Sequence, residues 1–385
     1  MNITLVCGHY LPALGYLEVH LARALAALGH KVAVVTSAAV PPYVAHLHAP
    51  LREGLEQDGA VSVHRLKPRY SIGQVVVANG VRETVKDTRP ELVIAIGLGK
   101  AFPLSIYPFP AIVISLFGDN HHSYAAGSFA EKLKVKAMFR LLKAPTYRAA
   151  VEHSDVLVAY TPESFAAAAK MLGGRFAQRL REQKAFISLG FDPAHFYFDP
   201  ALRQKMRSEH GLADVHRVLI TSTRVVPEKA LEEALPAIAA LPEHWQWWVI
   251  GADEGSYAKA FEKRALAALG PRRFRLLPYQ ERLKLNAYFN AADASLYTVP
   301  AISVFEVLGS GLPCLLPNKA SLAHVLQQEA LARVATRELK DDLSHFNLCE
   351  EARKQRATLA CEHYSWRAVA QKLLDEARTL LAGSQ

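Results

Sequence analysis

Two cations of different shape stand five residues apart in the run 222–229, STRVVPEK. Arg224 carries a planar guanidinium that can bind two phosphate oxygens together, and Lys229 carries a compact ammonium. The pair follows an apolar run and precedes a helical pattern, which places it at the end of a predicted strand. Converging on one diphosphate, the two cations would stabilise a departing nucleoside diphosphate without a metal. The alternative is an exposed turn with two solvated cations.

A single carboxylate, Glu306, is embedded in the apolar run 301–314, AISVFEVLGSGLPC. Burying an unpaired carboxylate is costly, so we expect Glu306 to have a partner. Ribose hydroxyls are suitable partners, and an internal ion pair or a helix cap is the alternative.

Gly15 closes the loop that follows the first apolar run, immediately before a helical pattern. A glycine at this point lets a phosphate or a sugar approach the free backbone amides of the helix start. The alternative is an ordinary turn glycine. The loop lacks the GxGxxG spacing, which argues against a dinucleotide-binding fingerprint.

The elements that must position these residues are short strands alternating with helices. Continuous apolar runs predict strands buried on both faces of parallel sheets, at 3–6, 32–35, 61–63, 92–96, 112–116 and 156–159, then at 218–222, 247–250, 274–277, 294–297 and 314–316. Helical patterns lie between them, at 16–28, 228–241, 257–269, 281–291 and 303–308. This order predicts an α/β fold with two doubly wound units, which the length of 385 residues also favours.

Composition restricts the class of protein and of ligand. Hydrophobic residues make up 51% of the chain and charged residues 21%, as in globular proteins, and no apolar stretch approaches the roughly 20 residues of a membrane-spanning helix. The net charge of +9 favours anionic partners, but the basic residues are scattered without interleaved aromatic residues, which disfavours nucleic acid. The four cysteines form no CxxC pair, so we expect a cytoplasmic, reducing location.

Metal and cofactor chemistry find no motif in the sequence. The histidines lack the spacing of a zinc site, and no DxD pair is present that would hold a metal-bound nucleotide sugar. We therefore expect no metal and no cofactor.

Four segments, in their order and separations, resemble the large retaining glycosyltransferase family 4. They are the stretch 16–35 with its GHKV, the run from Arg224 to Lys229, the AAD at 291–293, and Glu306 followed by GLP at 311–313. The resemblance covers nearly the whole chain and implies the GT-B fold, with two Rossmann-like domains facing each other across a cleft. It implies an acceptor-side domain at 1–187, completed by a crossover helix at 365–385, and a donor-side domain at 188–364.

Carried over by position, the resemblance implies a donor site. Arg224 and Lys229 would hold the diphosphate, and Glu306 would hold the ribose. Gly15 would bring backbone amides near the donor phosphate or sugar, and Tyr279 would border the base.

The remaining implied contacts concern the transferred sugar. Backbone amides around Ile302 and Ser303 would contact the donor sugar or phosphate. In the loop after the fifth strand, His121 would contact the sugar, with Asp119 as its orienting partner; His122 is the neighbouring choice, and a solvent-facing loop histidine is the alternative.

One position departs from the family pattern. The family's first Glu, eight residues before Glu306, is replaced by Thr298, and the glycine-rich EGFG segment becomes TVPA. The donor sugar must therefore be held differently, and a divergent or inactive member stays an open alternative.

A basic segment at 132–148 interleaves lysines and arginines with apolar residues. It predicts either an ordinary helix with a solvated basic edge or a peripheral contact with anionic lipid at the inner face of the membrane. The alternatives are left open.

Together these observations predict a metal-independent, retaining, hexosyltransferase-like enzyme. Its donor would be a UDP- or GDP-linked sugar, and its acceptor a hydroxyl on a glycan, a lipid-linked sugar or a small molecule, in cell-envelope glycan or glycolipid synthesis. A non-catalytic nucleotide-sugar-binding module and a nucleotide-sugar epimerase of the same fold are the alternatives.

Overall fold

The chain divides into two units, each built on its own sheet. The computed structural model describes residues 1–41, 51–72, 75–118, 143–182 and 184–383. One unit comprises residues 1–188 and 369–385, and the other comprises residues 189–368. The predicted junctions lie at 187/188 and 364/365.

The first unit contains an eight-stranded sheet in the order β10-β9-β8-β7-β1-β2-β4-β3, with a separate β5-β6 ribbon. Its neighbouring strands run parallel except for β3 with β4. The strands are β1 Asn2–Val6, β2 Lys31–Ser37, β3 Gly54–Asp58, β4 Val61–Leu66, β5 Pro68–Ile72, β6 Val75–Ala78, β7 Leu92–Ile96, β8 Ile112–Phe117, β9 Val156–Ala159 and β10 Lys184–Phe186.

Helices pack on this sheet because the central strands are apolar on both faces. Strands β1, β7 and β9 are almost entirely buried, as the continuous apolar runs predict. The helices are α1 Leu17–Ala27, α2 Val81–Asp87, α3 Ala101–Leu104, α4 Ala144–His153, α5 Pro162–Leu172 and α6 Gly174–Glu182.

The edge strand β3 of this unit lacks the apolar run that predicts the central strands. Strand β3 reads GLEQD and is mostly exposed, and it pairs antiparallel with β4. A half-exposed edge strand needs no apolar run, so the sequence pattern does not detect it.

The second unit contains a six-stranded parallel sheet in the order β13-β12-β11-β14-β15-β16. Its strands are β11 Arg217–Ser222, β12 Trp245–Ala252, β13 Phe274–Pro278, β14 Ala294–Leu296, β15 Cys314–Leu316 and β16 Ala332–Val334. The first five correspond to predicted runs. Strand β16 has only three residues at the sheet edge and was not predicted.

The helices of the second unit are α7 Pro200–Glu209, α8 Leu235–Ala239, α9 Ser256–Leu269, α10 Arg282–Ala291, α11 Ser303–Gly309, α12 Ala323–Leu326, α13 Leu339–Ser344 and α14 Glu350–Tyr364. Short 3₁₀ turns occupy Pro227–Lys229, Leu231–Ala234 and Ala320–Leu322. The prediction of one helix over 228–241 is therefore wrong. Ala230 has left-handed backbone angles, and Pro236 lacks the amide hydrogen that a continuous helix would need there.

The buried Arg353 donates hydrogen bonds to the C-terminal ends of two helices, α10 and α11. Arg353 of α14 donates hydrogen bonds to the main-chain carbonyls of Phe289 at 2.7 Å and Ala292 at 2.7 Å, at the end of α10. It also donates to the carbonyl of Ser310, just after α11, at 3.0 Å. Because its donors serve carbonyls that end helices, Arg353 fixes where both helices stop.

The last helix, α15 Trp366–Gly383, is continuous, with its first three residues in the second unit and the rest in the first. In the first unit it buries Val369, Ala370, Leu373 and Leu374.

Candidate functional site

The second sheet reverses its winding direction between β11 and β14. From β11 the chain adds β12 and β13 on one side, and then returns to add β14 on the other. In open α/β sheets the loops beyond the carboxyl ends of two such strands leave a crevice where ligands bind. Arg224 and Lys229 follow β11, and Thr298 and Ser303 follow β14, so four of the residues singled out in the sequence lie at this point.

Main-chain hydrogen bonds hold the loop that carries the two cations. The amide of Thr223 donates to the carbonyl of Ile250 at 2.9 Å, and the amide of Lys229 donates to that of Val226 at 3.0 Å. Arg224 is exposed and Lys229 is half-buried. Burial lowers the pKa of Lys229, and the positive charge of Arg224 lowers it further. The two cations therefore share one electrostatic environment.

Gly251, in β12, lets this loop pass close to the neighbouring strand. Its φ of +115° lies in the region that favours glycine, and a Cβ at this position would lie 2.3 Å from the carbonyl oxygen of Thr223. The missing side chain therefore sets the path of the chain into Arg224.

Two hydroxyls join the segment after β14 to the loop after β11. Thr298 donates to the carbonyl oxygen of Lys229 at 2.5 Å, and Ser303 donates to that of Ser222 at 2.6 Å. Lys229 is followed by Ala230, whose φ of 49° and ψ of 36° are left-handed and strained for alanine. Thr298 thus holds the Lys229 turn at its strained end.

Glu306 lies on α11 with a half-buried carboxylate. Burial raises its pKa to about 7, against a smaller opposing effect from the positive charge of Arg282. Within the described residues the Glu306 carboxylate forms no hydrogen bond or salt bridge, so neither the internal ion pair nor the cap considered for it is found, and the charge of Arg282 acts on it at longer range. A half-buried carboxylate without a hydrogen-bond partner can accept a hydrogen bond from a ligand hydroxyl.

The loop after β13 brings Arg282 toward Glu306, which the sequence interpretation missed. Tyr279 in the same loop is 79% exposed. Arg282 begins α10, and its charge acts on the Glu306 carboxyl. In the sequence, the only local indication of a role for Arg282 is its position three residues after Tyr279.

In the first unit the winding reverses between β1 and β7, by the same topology. Gly15 follows β1 and has a left-handed φ of 55°, one residue before the N-cap of α1. Glu18, in the first turn of α1, has its pKa raised to about 7 by burial and lowered in part by Lys100. Lys100 lies in the loop after β7, so that loop approaches the first turn of α1.

The sequence-predicted residues Asp119, His121 and His122 lie outside the described residues, as does most of the basic segment at 132–148. Gly15 belongs to the first unit, whereas Arg224, Lys229, Ile302, Ser303, Glu306 and Tyr279 belong to the second.

Metal-ligating clusters and membrane-spanning helices are two features that the described ranges lack. No group of three or more His, Cys, Asp or Glu side chains is placed to hold a metal ion there. None of the helices described combines the length and the apolar character that crossing a bilayer requires.

Comparison with known proteins agrees with the second unit's topology. Residues 203–356 match the family described as Glycosyl transferases group 1, a segment that includes every site residue of that unit. Comparison with curated protein sequences gave no significant match.

Solved structures share the fold over the full chain. Alr3699/HepE of Anabaena, in complex with UDP, matches with a TM-score of 0.66 and 16% identity over 98% of this chain and 100% of that one. The catalytic domain of starch synthase IV from Arabidopsis thaliana, bound to ADP and acarbose, matches with 0.65 and 14% over 99% of both chains. A proposed UDP-N-acetylglucosamine 2-epimerase from Listeria monocytogenes matches with 0.53 and 14% over 100% and 97%.

At these identities the structural likeness establishes the fold, and the family match concerns the second unit. The chain has the GT-B α/β fold with two Rossmann-like units, and its residues 203–356 match the family described as Glycosyl transferases group 1.

Proposed function

We propose that this protein transfers a hexose-like sugar from a nucleoside diphosphate sugar to a hydroxyl acceptor, with retention of the anomeric configuration. The observation that carries the proposal is the placement of Arg224 and Lys229 together at the winding reversal of the second sheet. Holding two like charges close is unfavourable in itself, and a bound diphosphate would offset that cost.

The donor would span the loops around this point. Its diphosphate would bind Arg224 and Lys229, and its ribose hydroxyls would donate to the Glu306 carboxylate, which forms no hydrogen bond or salt bridge among the described residues. Tyr279 is exposed at the neighbouring loop and would border the base. UDP and GDP are the candidate nucleotides from the sequence, and ADP is added because two proteins of this fold were solved with UDP and with ADP.

In the proposed reaction the bond between the sugar anomeric carbon and the phosphate oxygen breaks as the acceptor oxygen bonds to that carbon on the same face. The leaving phosphate takes the proton of the acceptor hydroxyl. Arg224 and Lys229 neutralise the charge that grows on the phosphate, a task that a metal ion performs in other transferases, so we propose metal independence.

The first unit is proposed to hold the acceptor, with Glu18 of α1 as a candidate contact, and Gly15 stays proposed to bring backbone amides near the donor phosphate or sugar. His121 and Asp119 stay proposed sugar contacts on the grounds of family resemblance. We place the protein in the cytoplasm and propose a peripheral membrane contact through the basic segment at 132–148. Flotation with anionic liposomes tests that contact, and absence of salt-sensitive binding would refute it.

Thermal unfolding in the presence of UDP, GDP, ADP and their sugars tests the donor. A ligand that binds only the folded state raises the melting temperature, so one nucleotide should stand out. With that nucleotide's sugars and EDTA present, the purified protein should slowly hydrolyse one donor with retention. Binding without hydrolysis or transfer would favour the non-catalytic module, and conversion of a UDP-sugar to its epimer would favour the epimerase. No binding of any nucleotide would refute the proposal.

A further inference from the structure

The segment between Thr298 and Ser303 is apolar, and the proposed function does not yet use this property. Val299, Pro300, Ala301 and Ile302, here called the 299–302 wall, are all aliphatic. We infer that the 299–302 wall faces the transferred sugar and selects a donor sugar that presents a methyl group, from a deoxy carbon or an N-acetyl group, where a common hexose presents a hydroxyl. This inference rests on the proposed function.

Hydrogen bonds at both ends of the wall fix its place. Before it, Thr298 bonds to the carbonyl of Lys229, and after it, Ser303 bonds to the carbonyl of Ser222. Both partners flank Arg224 in the loop that follows β11. The 299–302 wall therefore lies within reach of a sugar attached to a phosphate held by Arg224 and Lys229.

The side chains of the wall offer a sugar hydroxyl no hydrogen-bond partner, which leaves the main-chain amides around Ile302 and Ser303 as the contacts for the sugar or the phosphate. The hydroxyl protons of Thr298 and Ser303 are already donated to main-chain carbonyls. Pro300 has no amide hydrogen, and no ionisable side chain occurs from Thr298 until Glu306. Glu306 is in turn proposed to hold the ribose.

The apolar surface itself is accessible. Ile302 is 60% exposed and Pro300 is exposed, next to two cations. A sugar hydroxyl pressed against this surface would lose its hydrogen bonds to water, whereas a methyl group would gain contact and lose water. One such group in an apolar pocket is worth about tenfold in specificity.

Binding calorimetry with matched donors tests the inference without requiring turnover. The nucleotide is the one that stabilises the protein best, and the three probes are its diphosphate alone, its fully hydroxylated hexose, and the same hexose with one hydroxyl replaced. For UDP these are UDP, UDP-glucose, and either UDP-6-deoxyglucose or UDP-N-acetylglucosamine, which also separates the two sources of the methyl group.

We expect one methyl-bearing donor to bind about tenfold more tightly than its hydroxylated parent. Ile302→Ser should reduce that preference, measured as the ratio of the two sugar Kd values, to about threefold or less. Val215→Ser is the matched control, because Val215 is 63% exposed but precedes β11, at the opposite end of the strand. It should leave both constants unchanged.

Binding of the hydroxylated parent as tightly as, or more tightly than, both methyl-bearing donors would overturn the inference, as would an undiminished preference in Ile302→Ser. Either result would leave the donor proposal standing, since the bare diphosphate still binds. Failure of every nucleoside diphosphate to bind would instead refute the proposed function together with the inference.

Discussion

Thr298 donates its hydroxyl to the main-chain carbonyl of Lys229 across 2.5 Å, and it thereby joins two segments 69 residues apart in the chain. Lys229 is followed by the left-handed Ala230, and its ammonium is half-buried near Arg224. Both features are unfavourable in isolation. The hydrogen bond therefore holds the turn in the conformation that brings the two cations together.

Removing that hydroxyl should weaken diphosphate binding. We expect Thr298→Val, which keeps the shape but not the donor, to reduce the affinity for the bare nucleoside diphosphate by about three- to tenfold, as loss of one hydrogen bond to a buried carbonyl does. Thr298→Ser should retain most of the affinity. Calorimetry on the three proteins measures this, and equal affinities for Val and Ser would show that the hydroxyl does not position Lys229.

Lys229 should matter more for turnover than for folding. Lys229→Met keeps the aliphatic stem and removes the charge, and we expect donor hydrolysis or transfer to fall by about 10²–10³-fold, as loss of a transition-state charge contact does. The control is Lys263→Met, at an exposed position on α9. Near wild-type turnover in Lys229→Met would exclude the ammonium from the mechanism.

Glu306 should make nucleotide binding pH-dependent. Because burial raises its pKa to about 7, the carboxylate is mostly protonated at pH 6 and mostly ionised at pH 8. Affinity for the nucleoside diphosphate should therefore rise across this range in the wild type. The ligand phosphate titrates too, so the quantity to measure is the ratio of wild-type to Glu306→Gln affinity. A ratio that stays constant with pH would contradict the assignment of ribose to Glu306.

The same raised pKa has a consequence for stability, with the opposite sign. The unfolded carboxyl ionises near 4.5 and the folded one near 7, so folding is penalised increasingly as pH rises between these values and by a constant amount above them. Glu306→Gln should therefore gain melting temperature relative to the wild type at pH 8 but little at pH 4.5. Thermal unfolding at the two pH values decides this.

A side chain at Gly251 should destabilise the protein through a steric clash as well as through backbone strain. Gly251→Ala places a methyl 2.3 Å from the Thr223 carbonyl, whereas Gly80→Ala, at a left-handed φ of 76° and ψ of 7°, meets no atom within 4 Å. We expect Gly80→Ala to cost about 1 kcal/mol from backbone strain and Gly251→Ala about 2–4 kcal/mol from strain and clash. Urea unfolding measures both, and equal losses would mean that the Thr223 loop yields freely.

Local pattern carried much of the fold and pointed to candidate residues. Continuous apolar runs predict β1, β7, β11 and β15 because strands buried on both faces must be apolar at every position. The apolar pattern did not predict the polar edge strand β3 or the three-residue strand β16, because neither contains a long apolar run. It also wrongly predicted one helix over 228–241, where the left-handed Ala230 interrupts the helical backbone.

From the sequence alone came the α/β class, its division into two parallel sheets, and Arg224, Lys229 and Glu306 as charged groups at strand ends or in an apolar run. Only the tertiary structure decided that Thr298 binds the Lys229 carbonyl, that Arg282 acts on Glu306, and that Gly251 must lack a side chain. The physical reason is that apolar periodicity is written residue by residue along the chain. A hydrogen bond or a close approach between distant segments exists only once the sheet has brought their strand ends side by side.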